Sequence, residues 1–124
     1  MYRTGIIGCG KVAHLHAKAL KHLPTSDFAA VYSRTLDKAK SFASEYGVNA
    51  YDNITEMVEK EKLDLVMVCT PHPNHLDPTL DALAAGAHVI VEKPLASTLE
   101  DCDVMIAAGK KYNKKLGTIS QRRF

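Results

Sequence analysis

The sequence has no tryptophan, only 6% aromatic residues, an odd count of three cysteines, and no apolar run approaching a membrane span. Each shortage removes a class of function. Cys9, Cys69 and Cys102 show no C-x-x-C spacing, so neither a disulfide framework nor a zinc site is indicated, and reduced, buried thiols in a cytoplasmic protein are expected. A bilayer-spanning helix needs about 20 apolar residues, and the first residues run into a glycine turn after a few apolar positions, which argues against a signal-peptide core. A net charge of +2 is too small to imply nucleic acid or a membrane as partner. Repeats, low-complexity segments and linkers are missing as well. The basic cluster Lys110, Lys111, Lys114 and Lys115 falls at the end of an expected helix, where cations complement the dipole, so it reads as a solvated helix end.

What remains is the composition of a soluble globular protein, with 46% hydrophobic and 24% charged residues in a chain of 124. That is one domain, large enough to bury a core without staples. Near its start an apolar run, Gly5-Ile6-Ile7, feeds into Gly8-x-Gly10-x-x-Ala13, and residues 12–23 carry apolar groups at helical spacing. Strand, glycine turn and helix in this order make a dinucleotide-binding unit. The first glycine permits a tight turn, the second lets the backbone approach a pyrophosphate, and a small third residue lets helix and strand pack closely. The phosphates then meet the free N–H groups at the helix amino terminus.

The rest of the chain repeats the alternation. Turn residues 24–27 precede a strand over 28–32. Thr35 or Ser33 is positioned to cap a helix in which Leu36, Ala39, Phe42, Ala43 and Tyr46 repeat at three and four, closed by Gly47. A brief strand over 48–51 leads to Asp52 or Asn53 as cap of a helix over 54–60, and then to a strongly apolar strand over 63–69, ended by Thr70-Pro71. The next helix runs through Leu80, Leu83 and Ala84 to Gly86, starting at Asn74 or at Asp77 with Pro78 in its first turn. A strand over 88–91, a helix over 98–112 and a strand over 116–120 complete the pattern. Near-continuous apolar strands alternating with helices predict an α/β fold: a doubly wound, mostly parallel six-stranded sheet with helices on both faces.

The residue ending the second strand faces the adenosine ribose, about 20 residues beyond the glycine motif. Here Ser33-Arg34 stands in place of an acidic residue. An aspartate there repels a 2′-phosphate, whereas a hydroxyl beside a guanidinium receives one, so NADP is the expected cofactor, with NAD as the alternative if Arg34 only stacks on the adenine. Lys38, one helical turn on, is a second candidate cation.

In open α/β sheets ligands bind at the carboxyl edge of the strands, and two turns there stand out. The first, 70–75, holds His72 and His75 between prolines. No third ligand is placed nearby, so no metal is expected, and His75 caps or lines a pocket. The second is Glu92-Lys93-Pro94, where a lysine at a strand end, beside a nicotinamide, is suited to exchange a proton with a substrate hydroxyl or ketone.

Together these segments resemble the amino-terminal domain of the glucose-fructose oxidoreductase, inositol dehydrogenase and MocA family of NAD(P)-dependent oxidoreductases. The resemblance rests on Gly8-Cys9-Gly10-Lys11-Val12-Ala13, Ser33-Arg34, Thr70-Pro71 with His75, Ala85-Gly86, His88-Val89 and Glu92-Lys93-Pro94-Leu95. It implies that Lys93 is the catalytic lysine, that Gly8, Cys9, Gly10, Lys11 and Val12 hold the cofactor, and that Thr70, Pro71, His75, Glu92 and Lys93 lie along it. Gln121-Arg122 resembles the segment where the last strand returns to the cofactor.

The resemblance also implies a second, larger α+β domain that carries substrate contacts and the surface for homo-oligomerisation. Residues 1–120 are thus expected to form the dinucleotide-binding domain and 121–124 the start of a crossing to that second domain. The expected reaction of the full-length enzyme is hydride transfer between nicotinamide and a carbinol carbon of a sugar, polyol or related compound, and this chain alone is expected to bind dinucleotide without turnover. Two rival readings are a non-catalytic module that binds or senses nicotinamide dinucleotide, and a site for another nucleotide such as a methyl-donor cofactor. The latter leaves Ser33-Arg34 and Glu92-Lys93-Pro94 without a role.

Overall fold

A computed structural model describes residues 2–23, 26–69, 76–92 and 99–119. Along them strand and helix alternate: β1 (Tyr2–Ile7), α1 (Lys11–His22), β2 (Ser26–Tyr32), α2 (Leu36–Tyr46), β3 (Asn49–Tyr51), α3 (Ile54–Glu61), β4 (Leu65–Val68), α4 (Leu76–Ala85), β5 (His88–Glu92), α5 (Leu99–Lys111) and β6 (Leu116–Ile119). The strands form one six-stranded sheet in the order β3-β2-β1-β4-β5-β6, and each neighbouring pair is parallel. Parallel neighbours need a crossover rather than a hairpin, which is why a helix separates each strand from the next. This is the doubly wound sheet that the alternation predicts.

Successive strand residues point to opposite faces, and both faces are covered. On one face Ile6, Val31 and Met67 pack under Ala13, Ala17 and Leu20 of α1 and Phe42, Ala43 and Tyr46 of α2. On the other, Ile7, Ala30, Val66, Val68, Val89 and Val91 pack under Met57 and Val58 of α3 and Ala82 and Leu83 of α4, with Ala108 of α5 at the margin. Two-sided burial explains why the strands read as continuous apolar runs instead of alternating ones. Gly5 is needed for space: a Cβ there would stand 2.6 Å from Leu63 Cδ1.

The helix ends follow sequence chemistry in part. Gly47 closes α2 in the left-handed conformation, at φ 69°. Of the two candidate caps of α3 it is Asn53 that acts, accepting a bond from the Glu56 N–H at 2.8 Å. Thr35 holds the cap position of α2 but its side chain makes no capping bond; Ser33 Oγ instead accepts from the Thr35 N–H at 3.3 Å. Helix α4 begins at Leu76, so Asp77 and Pro78 lie in its first turn, and Asn74 lies outside the described residues.

Opposite the carboxyl edge, one ionic network ties four elements together. Arg3 donates from Nη1 to Asp27 at 2.7 Å and from Nη2 to Glu61 Oε1 at 2.9 Å, while its Nε reaches the Glu61 carbonyl at 2.6 Å. The second oxygen of Glu61 accepts from Asn49 at 2.7 Å and from the Tyr51 hydroxyl at 2.6 Å. Glu61 is buried, at 9% exposure, and each of its carboxylate oxygens is engaged. A buried charge persists only when paired in this way.

Candidate functional site

The parallel registers set Ile7 beside both Tyr32 and Val68, and Val68 beside Val91. The carboxyl ends of β2, β1, β4 and β5 therefore form one edge. From β1 the chain winds towards β2 and β3, and from β4 it winds the other way towards β5 and β6, so the crevice between β1 and β4 is the switch point at which such sheets bind ligands.

The glycine turn sits at that crevice. Gly8 has φ 113°, a conformation open to glycine and strained for other residues, and its N–H donates to the Tyr32 carbonyl at 2.8 Å. Gly10 differs. It is the amino-terminal cap residue of α1 with φ −82° and no side-chain capping bond, a backbone that any residue adopts. A Cβ added to it would meet no atom of the described residues within 4 Å. Among the described residues, then, the backbone and packing around Gly10 would accept a side chain. Ala13, fully buried, provides the small third position at which helix and strand meet. The first helical bond runs from His14 N–H to the Gly10 carbonyl at 3.2 Å, which leaves the N–H groups of 11–13 without intrahelical partners, and the first turn carries no acidic residue. Free N–H groups at a helix amino terminus are the arrangement that favours an anion.

The end of β2 adds the second part. Ser33 is half-buried and its N–H donates to the Tyr51 carbonyl at 3.1 Å, while Arg34 and Lys38 are exposed. Cys9 is half-buried, not buried as its residue type suggests. Burial pushes its thiol pKa up, opposed by a hydrogen bond with Ser33 and by the Lys38 charge, so the structure brings Cys9, Ser33 and Lys38 together. A cavity of about 370 Å³ opens beside them between α1 and α2, lined by Cys9, His14, Asp37, Lys38, Ser41, Phe42 and Glu45. Tyr32 lies behind this edge, its phenol pKa raised mainly by burial, with the Arg34 charge opposing and Asp81 and Asp52 adding to the rise.

Sequence patterning misses His14. Its Nδ1 lies 2.8 Å from the Tyr46 hydroxyl and its ring 4.3 Å from that of Phe42, so it joins the first turn of α1 to α2 and holds the glycine turn in place. Its partners come from another helix, 28 and 32 positions away, so no local pattern marks it. Of the remaining candidates, Lys11 and Val12 open α1 and Glu92 closes β5, paired with Ile119. Thr70, Pro71, His75, Lys93 and Arg122 lie outside the described residues, as do His72, Pro94, Leu95 and Gln121. Among the described residues no three His, Cys, Asp or Glu side chains gather as metal ligands, and no helix is long and apolar enough to cross a membrane.

Residues 2–119 match the GFO_IDH_MocA model, an oxidoreductase family with an NAD-binding Rossmann fold. The chain belongs to this family. It is 33% identical over 123 residues to myo-inositol 2-dehydrogenase of Thermotoga maritima, a match covering 98% of this chain and 37% of that protein. Among solved structures it resembles KijD10, a 3-ketoreductase from Actinomadura kijaniata in complex with NADP and TDP-benzene, with TM-score 0.86, 30% identity, and 94% of this chain against 36% of that one. It also resembles the WlbA dehydrogenase from Chromobacterium violaceum in complex with NADH and UDP-GlcNAcA, with TM-score 0.88, 29% identity, and 95% against 34%. The chain thus spans about a third of the length of these GFO_IDH_MocA relatives. An NAD(P)-binding Rossmann domain is what the family and the fold have in common here, and relatives bound to either cofactor are among its neighbours.

Proposed function

We propose that this chain is the cofactor domain of an NAD(P)-dependent oxidoreductase acting on a sugar, polyol or related carbinol, and that NADP is its preferred cofactor. The observation that carries the reading is Gly10, whose missing side chain faces open space at the uncapped end of α1. The residues present fit a dinucleotide: Gly8, Cys9, Gly10, Lys11 and Val12 would hold the pyrophosphate, and Ser33, Arg34 and Lys38 the adenosine ribose and its 2′-phosphate.

A bound nicotinamide supplies the hydride acceptor or donor. Lys93, which follows the end of β5 at the same edge, holds a proton at the substrate oxygen and so stabilises the charge that changes there. Thr70, Pro71, His75, Glu92 and Arg122 complete the wall around the cofactor. Substrate contacts come from a second domain in the complete protein, consistent with the third of its relatives' length that this chain spans. With residues 1–120 as the cofactor domain, 121–124 begin the crossing, and the complete protein is a homo-oligomer of the cytoplasm.

In the complete protein, Lys93→Met should abolish turnover and leave cofactor affinity nearly unchanged. Undiminished turnover would overturn the role of Lys93. The absence of NADPH and NADH binding by the wild type would overturn the dinucleotide reading itself.

A further inference from the structure

Helix α1 starts without a side-chain capping bond, Gly10 being its cap residue. The free N–H groups of 11–13 therefore keep their direction only as well as the first turn keeps its place. Within that turn Ala13 can only pack, fully buried against the sheet, whereas His14 makes directional bonds. Its backbone N–H donates to the Gly10 carbonyl at 3.2 Å, and its Nδ1 lies 2.8 Å from the Tyr46 hydroxyl. One residue thus grips the glycine turn on one side and α2 on the other.

The partner is firmly held. Tyr46 is 9% exposed, its ring centroid lies 5.0 Å from that of Phe42 and 6.2 Å from that of Phe28, and Gly47 ends the helix directly after it. The Glu45 carboxylate stands 3.7 Å from the same His14 nitrogen, which favours the tautomer with its proton there. Nδ1–H then donates to the Tyr46 hydroxyl, whose own proton is left for Glu45 and for the His14 carbonyl at 3.5 Å. A hydrogen bond weakens steeply once bent or stretched. A helix end fixed by such a chain of bonds therefore holds an anion better than one that rocks.

We propose that His14 is a positioning residue for the dinucleotide: held by Tyr46, it aims the free N–H groups of 11–13 at the pyrophosphate. This rests on the dinucleotide reading of the glycine turn and adds to it a residue outside the motif. Its effect is common to NADPH and NADH, because both carry the pyrophosphate.

Calorimetric titration of the complete protein with NADPH and with NADH tests this, alongside urea unfolding of each variant. His14→Leu can still pack on Phe42 but loses the bond to Tyr46; it should weaken both cofactors by the same factor, about tenfold. His14→Asn keeps a donor close to the position of Nδ1 and should bind within about threefold of the wild type. A role in stability alone ranks the two variants the other way, since leucine is the better helix former. Tyr46→Phe should weaken binding as His14→Leu does, and combining the two should add little, because either one breaks the same link. Equal affinities of the wild type and His14→Leu would overturn the proposal, as would equal losses in His14→Leu and His14→Asn, a loss confined to NADPH, or additive losses in the double variant. Failure of the wild type to bind either cofactor is a different result: it removes the dinucleotide reading, and this proposal with it.

Discussion

The N–H of Gly8 donates to the carbonyl of Tyr32 at 2.8 Å, so the turn that follows β1 is anchored to the end of β2. This one bond brings the glycine turn and the residues that follow β2, Ser33 and Arg34, to a common edge. The two glycines differ in backbone, Gly8 at φ 113° and Gly10 at φ −82°.

Gly8→Ala should fail in stability and binding together, because φ 113° costs a residue with a Cβ about 1–3 kcal/mol. Gly10→Ser should behave in the opposite way. Its backbone suits serine, a better amino-terminal cap than glycine, and the added Cβ meets no atom of the described residues within 4 Å. Thermal unfolding of Gly10→Ser should therefore match or slightly exceed the wild type, while titration shows at least about tenfold weaker dinucleotide binding. Unchanged binding would mean that the space beside Gly10 is not used.

Glu61→Ala should destabilise the fold by about 2–4 kcal/mol in urea unfolding, since it removes one of the acceptors of the Arg3 guanidinium and leaves the Asn49 amide and the Tyr51 hydroxyl without theirs. Asp27→Asn, at the solvent side of the same arginine, where the side chain is 45% exposed, should cost less than about 1 kcal/mol. Equal effects would show that burial does not set the worth of this network.

The same network predicts an alkaline dependence. Burial, the hydrogen bond to Glu61 and that residue's charge push the Tyr51 pKa up from 10.0 to about 12. Below pH 10 the phenol is protonated in both folded and unfolded chains. Between the two values the unfolded chain loses its proton while the folded one keeps it, so stability falls as pH rises through that window. Tyr32 and Tyr46 are also shifted upward, hence the comparison is with Tyr51→Phe, whose stability should decline less steeply over the same range. Identical slopes would remove Tyr51 as a cause.

Cys9 should react slowly with alkylating reagents near neutral pH, because burial keeps its thiol protonated beyond the ordinary 9.0. Its rate should rise with pH above that value and fall when NADPH is added, as followed by mass spectrometry of the labelled peptide. Labelling unaffected by NADPH would separate Cys9 from the cofactor site.

Much of this was legible in the sequence because two-sided burial of parallel strands leaves a direct trace in composition. Ile6-Ile7 and the 63–69 run are apolar at successive positions since each neighbour faces a different core. Even so, β4 is shorter than its apolar run: pairing with β1 starts at Leu65, and Leu63 serves the core from a loop, against Gly5. Helix α3 ends at Glu61, one residue beyond the expected 54–60, and Lys62 closes it in a left-handed conformation, at φ 52°, that lysine rarely adopts. The Arg3–Glu61 pair spans 58 positions in sequence, beyond the reach of any periodicity. The glycine turn was readable because the backbone at Gly8, at φ 113°, demands a particular residue type there. His14 was not, since its partner Tyr46 comes from another helix.

We propose that this chain holds a nicotinamide dinucleotide at the Gly8–Gly10 turn with its ribose at Ser33-Arg34. The most direct measurement is a calorimetric titration of the chain with NADPH and, separately, with NADH. Saturable binding of NADPH, tighter than NADH by at least about tenfold as a charge-assisted bond to a 2′-phosphate requires, is the predicted result. A folded chain that binds neither would contradict it.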